Sequence, residues 1–404
     1  MKKLLVCLLL ATFVSCGNDT EEWKKSDVPS GGGKEEETPA VKYGERAKET
    51  YDAICRFYQI SSGAAAGLFY EMQGGGIISY LWPYDGMCSA FAAMTKLGLD
   101  VKYTDRIERY QSYYRNSGRK NVGGYGSSTD GINGGGSRFY DDNSIVGIEL
   151  VEAFHITGDK KYLDRCAQIV KFLQSGRDDT FGGAMWWCED NINQSGNSDS
   201  NKPACANGFG TWFLLKYYEV CPEAEKETVL SLAKEFYDWL YSNLRDPEDN
   251  VYWNSKQADG VINKTKWTYN SGAMIASGVR LSRITSDQSY LNQAIATADG
   301  AYNYFVRSRN GLNLSYPTND PWFTIQLIKS YIELEPYHKK CSDYMTVFIS
   351  NLDYAWEHGR DGNGLFYEDW TGKKIDANRD HTLLMQAAAL ESLAVVALYK
   401  GEKY

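Results

Sequence analysis

Thr157-Gly158-Asp159-Lys160-Lys161-Tyr162-Leu163 recurs further along the chain as Thr285-Ser286-Asp287-Gln288-Ser289-Tyr290-Leu291. Each copy is a polar turn. An Asp or Ser can start the helix that follows, and a Tyr-Leu pair then packs inward. Helical patterns flank both copies: Asn143–Thr157 and Lys161–Gln174 around the first, Ser271–Arg283 and Ser289–Val306 around the second. The same i, i+3, i+4 apolar spacing runs through Gly208–Val220, Lys226–Asn243 and Leu383–Tyr399. The turns therefore join antiparallel helix pairs.

Between the pairs lie short Gly/aromatic segments. They are Gly67-Leu68-Phe69-Tyr70, Gly123-Gly124-Tyr125, Gly182-Gly183-Ala184-Met185-Trp186-Trp187, Asn250-Val251-Tyr252-Trp253, Gly311-Leu312-Asn313-Leu314-Ser315-Tyr316 and Gly364-Leu365-Phe366-Tyr367. Six recurrences at intervals of about 50 to 70 residues are a repeat architecture. Six hairpins without an atypical end repeat predict an all-α closed ring of two concentric helix layers, an (α/α)6 barrel over residues 41–404. An open solenoid would need polar end caps.

Such a scaffold directs attention to its rim loops. The stretch Gly134-Gly135-Gly136-Ser137-Arg138-Phe139-Tyr140-Asp141-Asp142-Asn143 places two adjacent carboxylates at a helix start, behind a glycine-rich loop. Helix capping accounts for one Asp well and for the second adequately. Glycoside hydrolysis is the chemistry that uses both: a pair about 5–5.5 Å apart gives retention, and a wider gap gives inversion. Adjacency favours the shorter separation. One member must be ionised and the other protonated, which burial and mutual repulsion promote. Further candidates lie at or near the repeat loops: Trp82-Pro83-Tyr84-Asp85, Trp186-Trp187, Trp253, Trp267-Thr268-Tyr269-Asn270, Trp322 and Glu368-Asp369-Trp370. Singly, each aromatic can equally be a hydrophobic anchor. Asp85 and Asp369 read more readily as caps or salt-bridge partners than as catalysts.

Composition narrows the class. The chain has 404 residues and a net charge of −9, with no basic block, which argues against nucleic acid as a partner. Its 30 Tyr and 11 Trp suit stacking on sugar rings. With four His, none at ligand spacing, no metal or other cofactor is expected. The glycine-rich run 131–136 lacks the Lys-Ser/Thr ending of a phosphate loop. His381, alone near the last loop, reads as structural.

The N-terminus reads as an export leader over residues 1–15. Lys2 and Lys3 precede the short apolar run Leu4 to Val14, which cannot span a bilayer. Phe13-Val14-Ser15-Cys16-Gly17 resembles a bacterial lipobox, with Cys16 as the lipidated first residue. Asp19, Glu21 and Glu22 resemble the signal for outer-membrane surface display. Residues 16–40 read as a polar tether. The expectation is a monomeric exported lipoprotein, touching the membrane through Cys16 alone. The remaining cysteines are odd in number, with a Cys188–Cys205 bridge left open.

Tyr140-Asp141-Asp142-Asn143 followed by the 157–163 turn resembles glycoside hydrolase family 76, the α-1,6-mannanases. Gly182-Gly183-Ala184-Met185-Trp186-Trp187 is similar to its Gly-Gly-x-x-Trp-Trp loop. Trp267-Thr268-Tyr269-Asn270-Ser271-Gly272 is similar to its Thr-Tyr-Asn-x-Gly segment. Gly364-Leu365-Phe366-Tyr367-Glu368-Asp369-Trp370, with Gln386-Ala387-Ala388-Ala389, is similar to its last repeat. The resemblance covers nearly all of residues 45–400. It implies an (α/α)6 barrel and retaining endo-hydrolysis of the α-1,6-mannan backbone of fungal cell walls. It makes Asp141 the nucleophile and Asp142 the general acid/base, without a metal. Tyr140, Asn143, Trp82, Tyr84, Asp85, Trp186, Trp187, Tyr269, Asn270, Asp369 and Trp370 are then the expected substrate-binding residues. The chain departs from the pattern at Ser144 and Ile145, where many members carry Trp, and in the polar stretch after Trp187. Alternatives are a glycan-binding lipoprotein without turnover, or an (α/α)6 hydrolase or epimerase for a related sugar.

Overall fold

The computed structural model describes residues 42–309, 311–375 and 380–404. The leader, Cys16 and the tether lie outside the described residues. Twelve α-helices are present among them: α1 (Tyr43–Tyr58), α2 (Leu81–Leu97), α3 (Tyr103–Glu108), α4 (Tyr140–Thr157), α5 (Lys161–Gly176), α6 (Ala204–Tyr218), α7 (Glu223–Asn243), α8 (Thr268–Thr285), α9 (Gln288–Phe305), α10 (Pro321–Leu334), α11 (Cys341–His358) and α12 (Leu383–Tyr399). The even-numbered helices form the inner layer. Each packs on the next even-numbered helix, and α12 packs on α2, so the ring closes. The odd-numbered helices lie outside. This is the (α/α)6 barrel expected from six hairpins. An open solenoid would leave α2 and α12 apart.

Burial separates the layers. Inner helices α2, α6 and α12 are buried along nearly their whole length, whereas outer helices α1 and α5 bury a single stripe. Close helix approach depends on small residues. A Cβ on Gly272 of α8 would sit 2.8 Å from the Leu327 Cα of α10. The outer helix after α2 departs from the pattern, since α3 is short and continues as a 3-10 turn, Arg109–Tyr113.

The Gly/aromatic segments have one structural role, repeated around the ring. Each returns antiparallel beside the residues that follow an outer helix: Gln59 with Phe69, Tyr114 with Tyr125, Arg177 with Met185, Arg245 with Tyr252, Arg307 with Ser315 and Arg360 with Phe366. An amide from the adjoining inner helix fastens three of them. Asn143 binds both the N–H and the C=O of Tyr125, Asn207 those of Met185, and Gln386 those of Phe366. Leaving such buried backbone groups unmade costs about 1–3 kcal/mol each.

Short strands occur within the loops. β1 (Tyr114–Arg115) pairs with β2 (Gly124–Tyr125). β3 (Asn201–Pro203), β4 (Trp253–Gln257) and β5 (Ile262–Lys266) form an antiparallel sheet. β6 (Arg307–Arg309) pairs with β7 (Leu312–Ser315). The helical periodicity does not anticipate them.

Candidate active site

The inner helices run parallel, with their N-termini at one rim. There the second residue of each points into a common cleft: Trp82 of α2, Asp141 of α4, Cys205 of α6, Tyr269 of α8, Trp322 of α10 and Leu384 of α12. The next turn down adds Ile145 and Phe209. Loops contribute Glu71, Tyr80, Ser127, Phe139, Trp187, Asn201, Asn254, Trp267 and Thr382. The cleft holds about 650 Å³, within the usual range for a ligand site. One wall is aromatic throughout. Trp82 stacks on Phe323 with centroids 5.9 Å apart, and Tyr269 and Trp267 lie 4.4 Å and 5.3 Å from the same ring.

The Asp pair sits half-buried in the first turn of α4. Its surroundings are brought together by two antiparallel stretches, 138–140 and 187–189. Tyr140 N donates to Trp187 O, and Glu189 N to Arg138 O. The buried Arg138–Glu189 pair clamps the ends, with Nε to Oε1 at 2.6 Å. Extended chain alternates its side chains. Trp187 therefore faces the cleft and donates Nε1–H to Asp141 Oδ2 at 3.0 Å, while Trp186 turns inward to Asp178 Oδ2 at 2.8 Å. The glycine-rich run lets a second hairpin close beneath the pair. Gly135 has φ +78°, and a Cβ on Gly126 would lie 1.9 Å from its carbonyl oxygen.

The two carboxyls are unequal. Asp141 Oδ2 accepts from both Trp187 and the Cys205 thiol. Burial pushes its pKa up, and these two donors with the helix N–H groups oppose the rise. Asp142 has no donor among the described residues, and burial followed by repulsion from Asp141 drives it well above the ordinary value. Asp142 thus holds a proton more tightly than Asp141 does.

The expected binding residues divide into two groups. Trp82, Trp187 and Tyr269 line the cleft with Asp141 and Asp142. The others lie outside it. Tyr140 is buried against Phe172, and Asn143 is the amide fastening Tyr125. Tyr84 gives its hydroxyl to Arg106 O in the core. Trp186 anchors the 178–186 loop, beneath the Lys202 ammonium. Asn270 is fully buried one position beyond Tyr269. Asp369 ties its own turn through the Thr371 N–H and hydroxyl, and Trp370 packs near Phe348. Each was drawn toward the site by adjacency in sequence, and helix or strand geometry turns it away.

Asp85 neither caps nor pairs. It is fully buried, with no ion-pair partner among the described residues. Burial pushes its carboxyl well above the ordinary value, followed by repulsion from Asp142. His381 stacks on Tyr367, outside the cleft. All seven described cysteines are free thiols, so Cys188 and Cys205 are not bridged. Sequence reasoning missed Cys205, Phe209, Phe323 and Glu71. The readable signal for the first three was register: aligning the inner helices on Asp141 brings Cys205 and Trp322 into place, with Phe209 one turn below and Phe323 next in line.

A sequence model of glycosyl hydrolase family 76 matches residues 42–401. No curated protein matches the chain significantly. An α-mannanase of that family from Bacteroides thetaiotaomicron is similar over 90% of this chain and 97% of its own, at 25% identity and a TM-score of 0.77. An inactive α-1,6-mannanase variant from Salegentibacter sp. HEL1_6, with two consecutive aspartates replaced by alanine and α-1,6-mannotetraose bound, has the same fold. It is 21% identical, covers 89% of this chain and 99% of its own, and has a TM-score of 0.72.

Proposed function

The chain belongs to glycosyl hydrolase family 76, and from that premise we propose that it is an endo-acting α-1,6-mannanase of fungal cell-wall mannan, retaining in stereochemistry. The observation that carries the reading is the inequality within the Asp pair: among the described residues, two donors meet Asp141 and none meets Asp142.

In this mechanism Asp141 attacks the anomeric carbon as a carboxylate, while Asp142 gives its proton to the departing glycosidic oxygen. The C–O bond to the leaving chain breaks as the glycosyl ester to Asp141 forms. Asp142, now ionised, takes a proton from water. The resulting hydroxide adds to the anomeric carbon and frees Asp141. Placement in one helical turn supports the short carboxyl separation that retention uses. The wall of Trp82, Trp267, Tyr269 and Phe323 suits the apolar faces of successive sugar rings. The mannotetraose bound by the Salegentibacter variant supports an α-1,6-linked chain as substrate. The leader and Cys16 support a lipid-anchored enzyme at the outer membrane, most simply on its outer face where polysaccharide arrives.

Product analysis on unbranched α-1,6-mannan tests the proposal. The expected result is a ladder of mannooligosaccharides from the wild type, lost in both Asp141→Ala and Asp142→Ala. No products from the wild type, with mannan still retarding it in an affinity gel, would leave a binding protein instead.

A further inference from the structure

We propose that Cys205 is a positioning residue for the nucleophile, its thiol holding the Asp141 carboxylate in one orientation and in its ionised form. This rests on the assignment of Asp141 as nucleophile. Cys205 occupies the second position of α6, the same register that Asp141 holds on the neighbouring α4. Its Sγ–H donates to Asp141 Oδ2 at 3.0 Å, and the residue is buried within the cleft lining.

The surroundings explain why a donor is needed at this point. The titratable groups facing Asp141 are Asp142 on its own helix, Asp85 on α2, Cys188 in the 187–189 stretch, Cys205 on α6 and Tyr269 on α8. None of these is a cation, so a carboxylate here depends on neutral donors. Trp187 supplies one and Cys205 the other, both on the same oxygen. Burial, together with the neighbouring Asp141, pushes the Cys205 thiol well up, so it stays an S–H donor and adds no second negative charge.

A thiol also suits the reaction. An S–H is a weak donor. It fixes the carboxylate without withdrawing much electron density from the attacking group. Being soft and nearly apolar, it sits well beside Phe209 and Tyr269. A cationic partner would stabilise the same carboxylate more strongly, at the expense of its nucleophilicity.

The experiment is the pH dependence of kcat/KM on α-1,6-mannan for wild type, Cys205→Ala and Cys205→Ser, with folding checked by circular dichroism and thermal melting. Losing a donor to the ionised form raises the nucleophile's pKa. Cys205→Ala is expected to move the acid limb toward neutral by about half a pH unit and to lower kcat by about three- to tenfold. Cys205→Ser, which restores a donor, is expected to return the limb to the wild-type position. A Cys205→Ala profile superimposed on the wild type, or a Cys205→Ser variant no better than Cys205→Ala, overturns the proposal. Asp141→Ala is measured alongside. If it retains turnover, the nucleophile assignment itself falls. If it is inactive while Cys205→Ala behaves as wild type, only the role of Cys205 falls.

Discussion

The two ends of the barrel axis handle charge in opposite ways. At the N-terminal ends of the inner helices, Asp141 and Asp142 face a cleft with no cation in its lining among the described residues, and fully buried Asp85 adds a third carboxyl. At the C-terminal ends, a second cavity of about 320 Å³ is also lined by carboxylates, but lysines answer them. Glu152 accepts from Lys216 and Lys96, and Glu391 from Lys329 and Ser89. Helix dipoles favour this division, anions at the N-termini and cations at the C-termini. The outcome for proton affinity is opposite too. Burial works against the Glu152 charge, yet Lys216 and Lys96 outweigh it and hold the carboxyl well below its ordinary value. One end raises the proton affinity of its carboxyls, and the other lowers it.

Neutralising one carboxyl at each end should break this symmetry most sharply. Asp142→Asn is expected to lower kcat on α-1,6-mannan by at least about 10³-fold while folding normally, because a proton donor is removed and a repulsion relieved. Glu152→Gln is expected to leave kcat within about twofold and to lower unfolding free energy by about 1–3 kcal/mol at neutral pH, read from urea denaturation. The Glu152 carboxyl is depressed on folding, so its contribution is present above the unfolded value and fades as pH falls below it. The gap between wild type and Glu152→Gln should therefore close on acidification. A catalytic collapse in Glu152→Gln would erase the distinction between the two ends.

Glu149, halfway down α4, marks the boundary. Its Oε2 is buried without a partner among the described residues, and burial pushes the carboxyl up to about 7. A raised carboxyl stabilises the fold below the unfolded value and loses that stability as pH rises through the folded one. From pH 4.5 to about 7 the wild type should lose up to about 3 kcal/mol at this site, and Glu149→Gln should not. Thermal melts of both proteins across that window provide the check. Parallel curves would mean that Glu149 is ionised throughout and belongs with the paired end.

Much of this was legible in the chain. Helix starts were readable where the turn carries its own capping chemistry, as before α5 and α9, and α12 was read with the bounds observed, Leu383–Tyr399. By contrast, α4, α6, α7 and α8 begin three or four residues before the periodicity placed them. That Asp141 and Asp142 would face the cleft was readable because two adjacent acids exceed what one cap needs. The direction of individual side chains was not. Trp186 and Trp187 are neighbours, yet only the pairing of 187–189 with 138–140 decides which one reaches the cleft. Asn143 adjoins the acids but is committed to Tyr125 by a hairpin closing from elsewhere in sequence. Cys205 was missed for the opposite reason: nothing around it is distinctive until α6 is set in register beside α4.

The smallest expected effect tests how far the cleft extends around its rim. Asp369 and Trp370 belong to the last Gly/aromatic repeat, and the internal echo makes them look equivalent to the Trp187 loop. Their contacts differ. Asp369 Oδ1 accepts from Thr371 N at 2.9 Å and from the Thr371 hydroxyl at 2.8 Å, and Trp370 lines a separate small pocket with Tyr316 and Phe348. An asparagine retains the acceptor oxygen for this turn. Asp369→Asn should therefore change KM for α-1,6-mannan by less than about twofold and stability by no more than about 1 kcal/mol, since this buried turn keeps its acceptor. Steady-state kinetics with long and short mannan fragments is the sensitive form of the test. A KM that rises about tenfold on long chains alone would mean that bound polysaccharide runs past Thr382 to the last repeat. The chemical end of the barrel would then be larger than the cleft around the Asp pair.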